Sequence, residues 1–158
     1  MSLSPKPARF SQAEQINIVM SGHINGAGRL FGGILVEWID VVAAVAARRH
    51  SGCDVTTAAI DNLQFKSPAY AGDTVILNAR LTYAGRTSME VRVDTYVESL
   101  QGARRLINTA YLVMVALDAK GNPAPVPPLQ IETEEQKLEY EAAALRKEFR
   151  KKRRAQGY

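Results

Sequence analysis

Between residues 54 and 118 the chain reads as one strand after another, and this run constrains the fold more than any other feature. Residues 73–83 alternate Val75, Leu77, Ala79, Leu81 and Tyr83, and residues 87–99 alternate Met89, Val91, Val93, Thr95 and Val97. Residues 106–118 are almost wholly apolar. Only Ala84-Gly85-Arg86 and Gln101-Gly102 separate these three segments, so they predict an antiparallel meander. A further strand is expected over 55–65, rich in Thr, Val and Ile, and another over 15–20 with Ile16, Ile18 and Met20 on one face.

Ahead of the meander lies a helix pattern from Gly32 to His50. Its apolar stripe is Ile34, Leu35, Trp38, Val41, Val42 and Val45, with a stop at Ser51-Gly52, where glycine can cap. Residues 132–154 form a second helix pattern, highly charged, with Leu138, Ala142, Leu145 and Phe149 as a thin apolar stripe. The fold class is therefore α+β: an antiparallel sheet of about five strands around one long helix, plus a C-terminal helix. One helix leaves the other sheet face and the sheet edges in need of cover, which predicts a dimer at least. The expected organisation is a flexible N-terminus over 1–10, where Pro5 and Pro7 oppose regular structure, a domain over 11–130, and a charged helix with a basic tail over 131–158.

The 158 residues suit one domain. A single cysteine, Cys53, offers no intrachain disulfide and no metal-ligand cluster, so no metal is expected. No apolar run approaches the ~20 residues of a membrane span, and the opening MSLSPKPARF lacks a signal-peptide core, so the expectation is a cytoplasmic protein. The net charge of +4 is concentrated at one end. Residues 146–154 (RKEFRKKRR) carry seven Lys or Arg against one Glu, and the rest of the chain is slightly acidic. That run lacks interleaved aromatics apart from Phe149, so it reads as a solvated tail, frayed beyond Lys151, and nucleic acid is not the expected partner.

The chemistry concentrates in residues 23–40. His23-Ile24-Asn25-Gly26-Ala27-Gly28-Arg29-Leu30-Phe31-Gly32-Gly33 feeds a helix N-terminus, where free backbone N–H groups and the helix dipole can hold developing negative charge. Two turns on, Asp40 interrupts an uncharged run. A donor cradle beside a lone carboxylate is the equipment for attack of water on a carbonyl. Counting round the helix, Asp40 shares a face with Gly33, Val36, Glu37, Ala43, Ala44 and Ala47, whose small alanines admit a second backbone or a slender ligand. The bland alternatives are a solvated carboxylate for Asp40 and a turn residue for Asn25. Arg86-Thr87-Ser88 is either a polar hairpin corner or a phosphate-binding group, and Arg104 and Arg105 either join its rim or are solvated. His23, His50 and Cys53 are read as structural.

Several pieces occur together: His23-x-Asn25…Gly28…Phe31-Gly32-Gly33, Trp38-Ile39-Asp40, Phe65-x-Ser67-Pro68…Gly72-Asp73, Tyr83-x-Gly85-Arg86-Thr87-Ser88-Met89 and Pro125-Val126-Pro127-Pro128-Leu129. In this order they make residues 15–129 resemble the hotdog-fold acyl-CoA thioesterases, in the group of the cytosolic acyl-CoA hydrolases. The resemblance implies a hotdog fold, hydrolysis of acyl-CoA to a free acid and CoA, and no cofactor. It casts Asp40 as general base or nucleophile, Asn25 as the loop asparagine that orients water or carbonyl, usually from the partner subunit, and the Gly32 N–H as the oxyanion donor. Gly33 and the turn Gly85, Arg86, Thr87 and Ser88 would lie along CoA. It also implies a homo-oligomer, a dimer with shared active sites and often a hexamer. Two other classes stay open. One is a hotdog hydratase, for which His23 does not match the histidine pattern. The other is a non-enzymatic acyl-CoA sensor or a nucleic-acid module driven by the basic run.

Overall fold

The computed structural model describes residues 2–61 and 63–158. Helix α1 (Gly32–Ser51) ends where expected: Gly52 takes φ 70°, a left-handed conformation suited to glycine, and its N–H donates to the Arg48 carbonyl at 2.8 Å. Arg48, Arg49 and His50 occupy the last turn, where positive charge complements the helix dipole. The face it buries matches the expected one in part: Leu35, Trp38 and Val42 are buried as expected. Val41 is 51% exposed and Ile34 and Val45 are half-buried, whereas Ile39, Ala43, Ala46 and Ala47 have no exposed surface. The alanine face is filled by the protein's own sheet rather than left for a second backbone or ligand. Alanines let the helix axis approach the strands closely, so the packing stripe centres on them and on Ile39 and Val42.

The sheet is antiparallel, in the order β2 (Ala13–Ile18), β4 (Thr74–Ala84), β5 (Ser88–Glu98), β6 (Arg104–Leu117), β3 (Asp54–Asp61). The expected meander is β4–β5–β6. The strand expected over 55–65 stops at Asp61, and residue 62 lies outside the described residues. Val75, Leu77, Ala79 and Leu81 of β4, Val91 and Val93 of β5, and Leu112 and Met114 of β6 join α1 in one core cluster. Register shifts at Leu81/Tyr83, Thr95/Tyr96 and Thr57/Ala59 bend the strands and curl the sheet about the helix. In β2 and the two residues after it the larger apolar side chains face outward: Ile16, Ile18 and Met20 are each more than half exposed, while Ala13 and Val19 are buried.

Residues 6–10 are not a loose lead-in. Strand β1 (Lys6–Pro7) pairs in parallel with β7 (Leu129–Gln130), with the Lys6 N–H donating to Pro128 at 2.9 Å. A short 3-10 turn follows over Ala8–Phe10, and Ala8 is buried. Proline fits β1 because a two-residue edge strand asks little of its missing N–H. The Lys6 ammonium donates to the Arg49 carbonyl, and the buried His50 ring bonds through Nε2 to the Pro127 carbonyl at 2.8 Å. These contacts bind both ends of the domain to the C-terminus of α1. Burial pushes the His50 imidazole below its ordinary pKa.

Helix α2 (Glu134–Ala155) starts at Thr133, whose hydroxyl accepts from the Gln136 N–H at 3.1 Å, and lies on the outer face of the sheet. Its expected apolar stripe faces away from the domain: Leu138, Leu145 and Phe149 are 59%, 62% and 59% exposed. The face turned inward carries Glu139, Tyr140, Ala143, Arg146 and Arg150, because the strands beneath it present charges. Glu139 accepts from Arg80 at 2.6 Å and Arg92 at 2.8 Å, and both arginines also donate to Asp94. Glu90, 1% exposed, accepts from Arg146 at 2.7 Å, Arg150 at 3.1 Å and the Thr82 hydroxyl at 2.6 Å. Asp61 accepts from Arg153 at 2.5 Å and Arg150 at 3.1 Å. Arg146 also stacks 3.8 Å from the Tyr111 ring centroid. The basic run is therefore not a solvated tail frayed past Lys151; its arginines dock the helix, which continues to Ala155.

This docking gives two expectations. Glu90→Ala strands buried arginine charge and lowers stability by about 3 kcal/mol, whereas Leu138→Ala changes it by no more than about 0.5 kcal/mol; urea unfolding of both variants decides, and equal midpoints would refute the ion-pair account. Burial alone would raise the Asp61 carboxyl, but the bonds from Arg153 and Arg150 outweigh it and hold the group below its ordinary value of 3.8. A depressed carboxylate contributes stability that is complete above its unfolded pKa and lost as pH falls through the folded one. Asp61→Asn is thus expected to flatten the stability–pH curve below about pH 4, and an unaltered acid limb would exclude that role.

Candidate active site

The loop before α1 is built around Asn25. Its Oδ1 accepts the N–H groups of Ala27 at 2.9 Å and Arg29 at 3.2 Å, and its own N–H donates to the Arg29 carbonyl at 2.8 Å. Gly28 closes the turn at φ 75°, where a side chain would be strained. With Oδ1 engaged twice, the amide Nδ2 is the part of Asn25 that can reach a ligand. His23 is structural, as expected: its Nδ1 accepts the Met20 N–H at 3.0 Å, and its ring meets Trp38 edge-on at 5.1 Å.

Gly32 opens α1, and no side chain caps the helix there. The leading N–H groups of a helix lack intrahelical acceptors, so Gly32 and Gly33 present donors at the positive end of the dipole. A Cβ on Gly32 would stand 3.3 Å from the Phe65 ring, and one on Gly33 2.7 Å from the Phe31 ring. Glycine is thus what keeps two aromatic rings close over the helix entrance. Asn25 and Gly32 line one cavity of 340 Å³ with apolar walls from Leu30, Leu35, Phe65 and Ile107 and cations at Arg29 and Lys66.

Asp40 is elsewhere. Half-buried, it faces edge strand β3, where the Thr57 hydroxyl donates to its Oδ1 at 2.5 Å. The irregularity between Thr57 and Ala59 interrupts the alternation of β3 just where Thr57 meets the helix. Eight residues of α-helix span about 12 Å, so Asp40 and the Gly32 N–H are too far apart to act on one carbonyl within a single chain. The chain brings together Asn25 with Gly32, and Asp40 with Thr57, in two separate places. Sequence reasoning missed Thr57, which stands in a Thr-rich strand where threonine needs no reason beyond β-propensity.

The turn Gly85–Ser88 caps the β4–β5 hairpin, with the Gly85 N–H donating to the Ser88 carbonyl at 2.8 Å. Val126 donates to the Arg86 carbonyl and Ala116 to that of Thr87, both at 3.0 Å, which leaves the Arg86 side chain exposed. Met89 pairs with Met114, which pairs with Thr57, so the turn lies one residue beyond the Thr57 row and two strand spacings, about 10 Å, across the sheet. Arg104 and Arg105 do not join it. They stand at the opposite end of the sheet, Arg104 paired with Glu98 at 2.9 Å and Arg105 bonded to Ser67.

The model of the thioesterase superfamily matches residues 27–102. An acyl-CoA thioester hydrolase of Bacillus subtilis, itself uncharacterised, is 40% identical over 131 residues, 82% of this chain and 76% of its own length. The chain spans only 25% of the mouse acyl-coenzyme A thioesterase 11, at 33% identity. The crystal structure of an apo hexameric acyl-CoA thioesterase superposes with a TM-score of 0.92 at 42% identity, covering 97% of this chain and 99% of that one. The Staphylococcus aureus acyl-CoA hydrolase, solved with butyryl-CoA, CoA and CoA disulfide, gives 0.90 at 35% identity, covering 96% and 93%. That enzyme has also been solved with an asparagine, an aspartate and a threonine each changed to alanine, at successive separations of 15 and 17 positions. By its match to the bacterial relative, this chain belongs to the acyl-CoA thioester hydrolases.

Proposed function

We propose that the protein hydrolyses acyl-CoA to a free carboxylic acid and CoA in sites shared between two copies of the chain. Asp40 accepts a proton from water, and the water oxygen attacks the thioester carbonyl. The carbonyl oxygen becomes an oxyanion held by the Gly32 N–H of the other copy, with Asn25 beside it as a positioning donor. The C–S bond then breaks, and CoA leaves as a thiolate, which needs no strong acid.

The observation that carries this reading is the Asp40–Thr57 hydrogen bond at a sheet edge. A hydroxyl fixed on Oδ1 leaves Oδ2 directed and free to take a proton. The separations Asn25–Asp40 and Asp40–Thr57 are 15 and 17 positions, the same as those of the three residues changed in the Staphylococcus aureus enzyme. Among the described residues, edge strand β3 is unpaired on its outer side, which suits pairing with a second copy. The homo-oligomer is read as a dimer with a trimer of dimers beyond it, in keeping with the neighbour described as hexameric. A reduced, cytoplasmic setting fits a chain with the single thiol Cys53.

Thiol release from acyl-CoAs ranging from acetyl to palmitoyl tests the assignment. Asp40→Asn is expected to lower kcat by roughly 10²–10⁴, and Thr57→Val by roughly tenfold through loss of one hydrogen bond to a charged group, both with the wild-type circular dichroism spectrum. Undiminished turnover in Asp40→Asn would refute the base, and acyl-CoA binding without hydrolysis by the wild type would favour a sensor.

A further inference from the structure

Helix α2 turns an apolar stripe outward. Leu138, Leu145 and Phe149 are each more than half exposed, and with Ala142 they recur at the i, i+4, i+7 and i+11 positions of one helix face. The charges on the two faces of the helix differ in state. Inward, Glu139, Arg146 and Arg150 are all engaged with the sheet. Outward, Glu134, Glu135 and Lys152 are exposed and make no ion pair among the described residues.

Read outward from a midpoint between Ala143 and Ala144, the exposed face repeats itself in mirror order. Leu138 mirrors Phe149, and Ala142 mirrors Leu145. At about 100° per residue, the terminal charges lie within about 60° of this stripe, Glu134 and Lys152 on one flank and Glu135 and Arg153 on the other. On each flank the acid and the base stand within one residue of mirror positions. Arg153 bonds Asp61 but is still about half exposed. A face that mirrors itself in both apolar groups and charge is complementary to a second copy of itself turned end for end. The rim charges Glu141 and Glu148, which such a pairing brings near each other, each have a lysine one turn away on their own helix, Lys137 and Lys152.

We propose that α2 docks antiparallel on α2 of a second copy through this face, and that the contact joins edge-paired dimers into a larger assembly. Across a two-fold axis at the midpoint, Leu138 of each copy packs on Phe149 of the other, and Glu134 meets Lys152. The inference rests on the homo-oligomer reading above for the edge contact and is independent of the reaction. Helix α2 lies on the outer face of the sheet and not at its β3 edge, so one copy can hold both contacts. Two different two-fold contacts taken in alternation close a ring with an even number of copies, as a trimer of dimers has. A helix of 22 residues is about 33 Å long, and a pair of them buries less than the roughly 800 Å² a side of a stable interface. It therefore joins dimers, each of which brings two such faces, rather than single chains. So small a contact comes apart before the domain unfolds, and Leu138 matters to assembly rather than to the unfolding midpoint.

Sedimentation velocity across a concentration series tests the contact. Wild type is expected to form an assembly larger than a dimer. The double variant Leu145→Glu, Phe149→Glu is expected to raise the concentration at which it dissociates into dimers roughly hundredfold or more, with the wild-type circular dichroism spectrum and thiol release per site retained. Both side chains are exposed, so the fold should tolerate the change. Glu134→Lys and Lys152→Glu each set like charges at both ends of the contact and should weaken it several-fold. Combined in one chain they reverse each pair and should restore the assembly, which a folding defect would not do. A wild type no larger than a dimer would overturn the proposal, as would a double glutamate variant of undiminished size or a combined charge reversal no better than its single parents. So would capture of dimeric wild type by phosphatidylserine vesicles, which would give the face to an anionic lipid surface. A monomeric wild type would refute the edge pairing as well, whereas loss of activity in intact dimers would count against the reading of the site and not against this contact.

Discussion

Ala43, Ala46 and Ala47 of helix α1 have no exposed surface, and the close approach of helix to sheet that they allow is the constraint on which the rest of the structure depends. A helix kept farther off by large side chains could not bring the Asp40 carboxylate to 2.5 Å from the Thr57 hydroxyl on the edge strand. The same approach seals the core cluster from Leu35 to Ala47 and fixes where both ends of the helix point. Its N-terminus presents the Gly32 donor to one cavity. Its C-terminus binds the segments around Lys6 and Pro127. One packed helix thus carries an anion-stabilising end and a carboxylate about 12 Å apart, and that distance forces any shared chemistry to run between two copies.

The outer face works by different physics. There the sheet presents Arg80, Arg92, Glu90 and Asp94, and α2 answers with Glu139, Arg146 and Arg150 rather than with an apolar stripe. Buried ion pairs contribute little net stability compared with apolar packing, but breaking one partner is costly, so they enforce one orientation of the helix. That orientation keeps Lys147 over Gly85 and leaves Leu138, Leu145 and Phe149 turned outward.

The strands and both helices were legible in the sequence to within a few residues, because hairpin turns and the glycine at 52 punctuate strong periodic patterns. The faces were less legible. Periodicity placed Leu35, Trp38 and Val42 inward correctly, but it also turned Val41 and Leu145 inward, where alanines on α1 and arginines on α2 make the contacts instead. Neither is visible without knowing what the opposing strand presents. The basic run looked like a tail because its carboxylate partners, Asp61 and Glu90, lie 56 to 92 positions earlier in the chain. Of the candidate site, Asn25, Gly32 and Asp40 could be named from motif and helix geometry. Thr57 could not, since a threonine in a strand is unremarkable until a helix carboxylate is found against it.

The division of the site between two copies is the central claim, and subunit complementation tests it most directly. Asp40→Asn and Asn25→Ala chains, each with little activity as a homo-oligomer, are unfolded together and reassembled. If each site takes Asp40 from one copy and Asn25 from the other, each mixed dimer holds one site free of both changes, and random pairing restores about a quarter of wild-type sites. Recovered thiol release near that level is the predicted result. Activity no higher than that of the two variants kept apart would contradict a shared site.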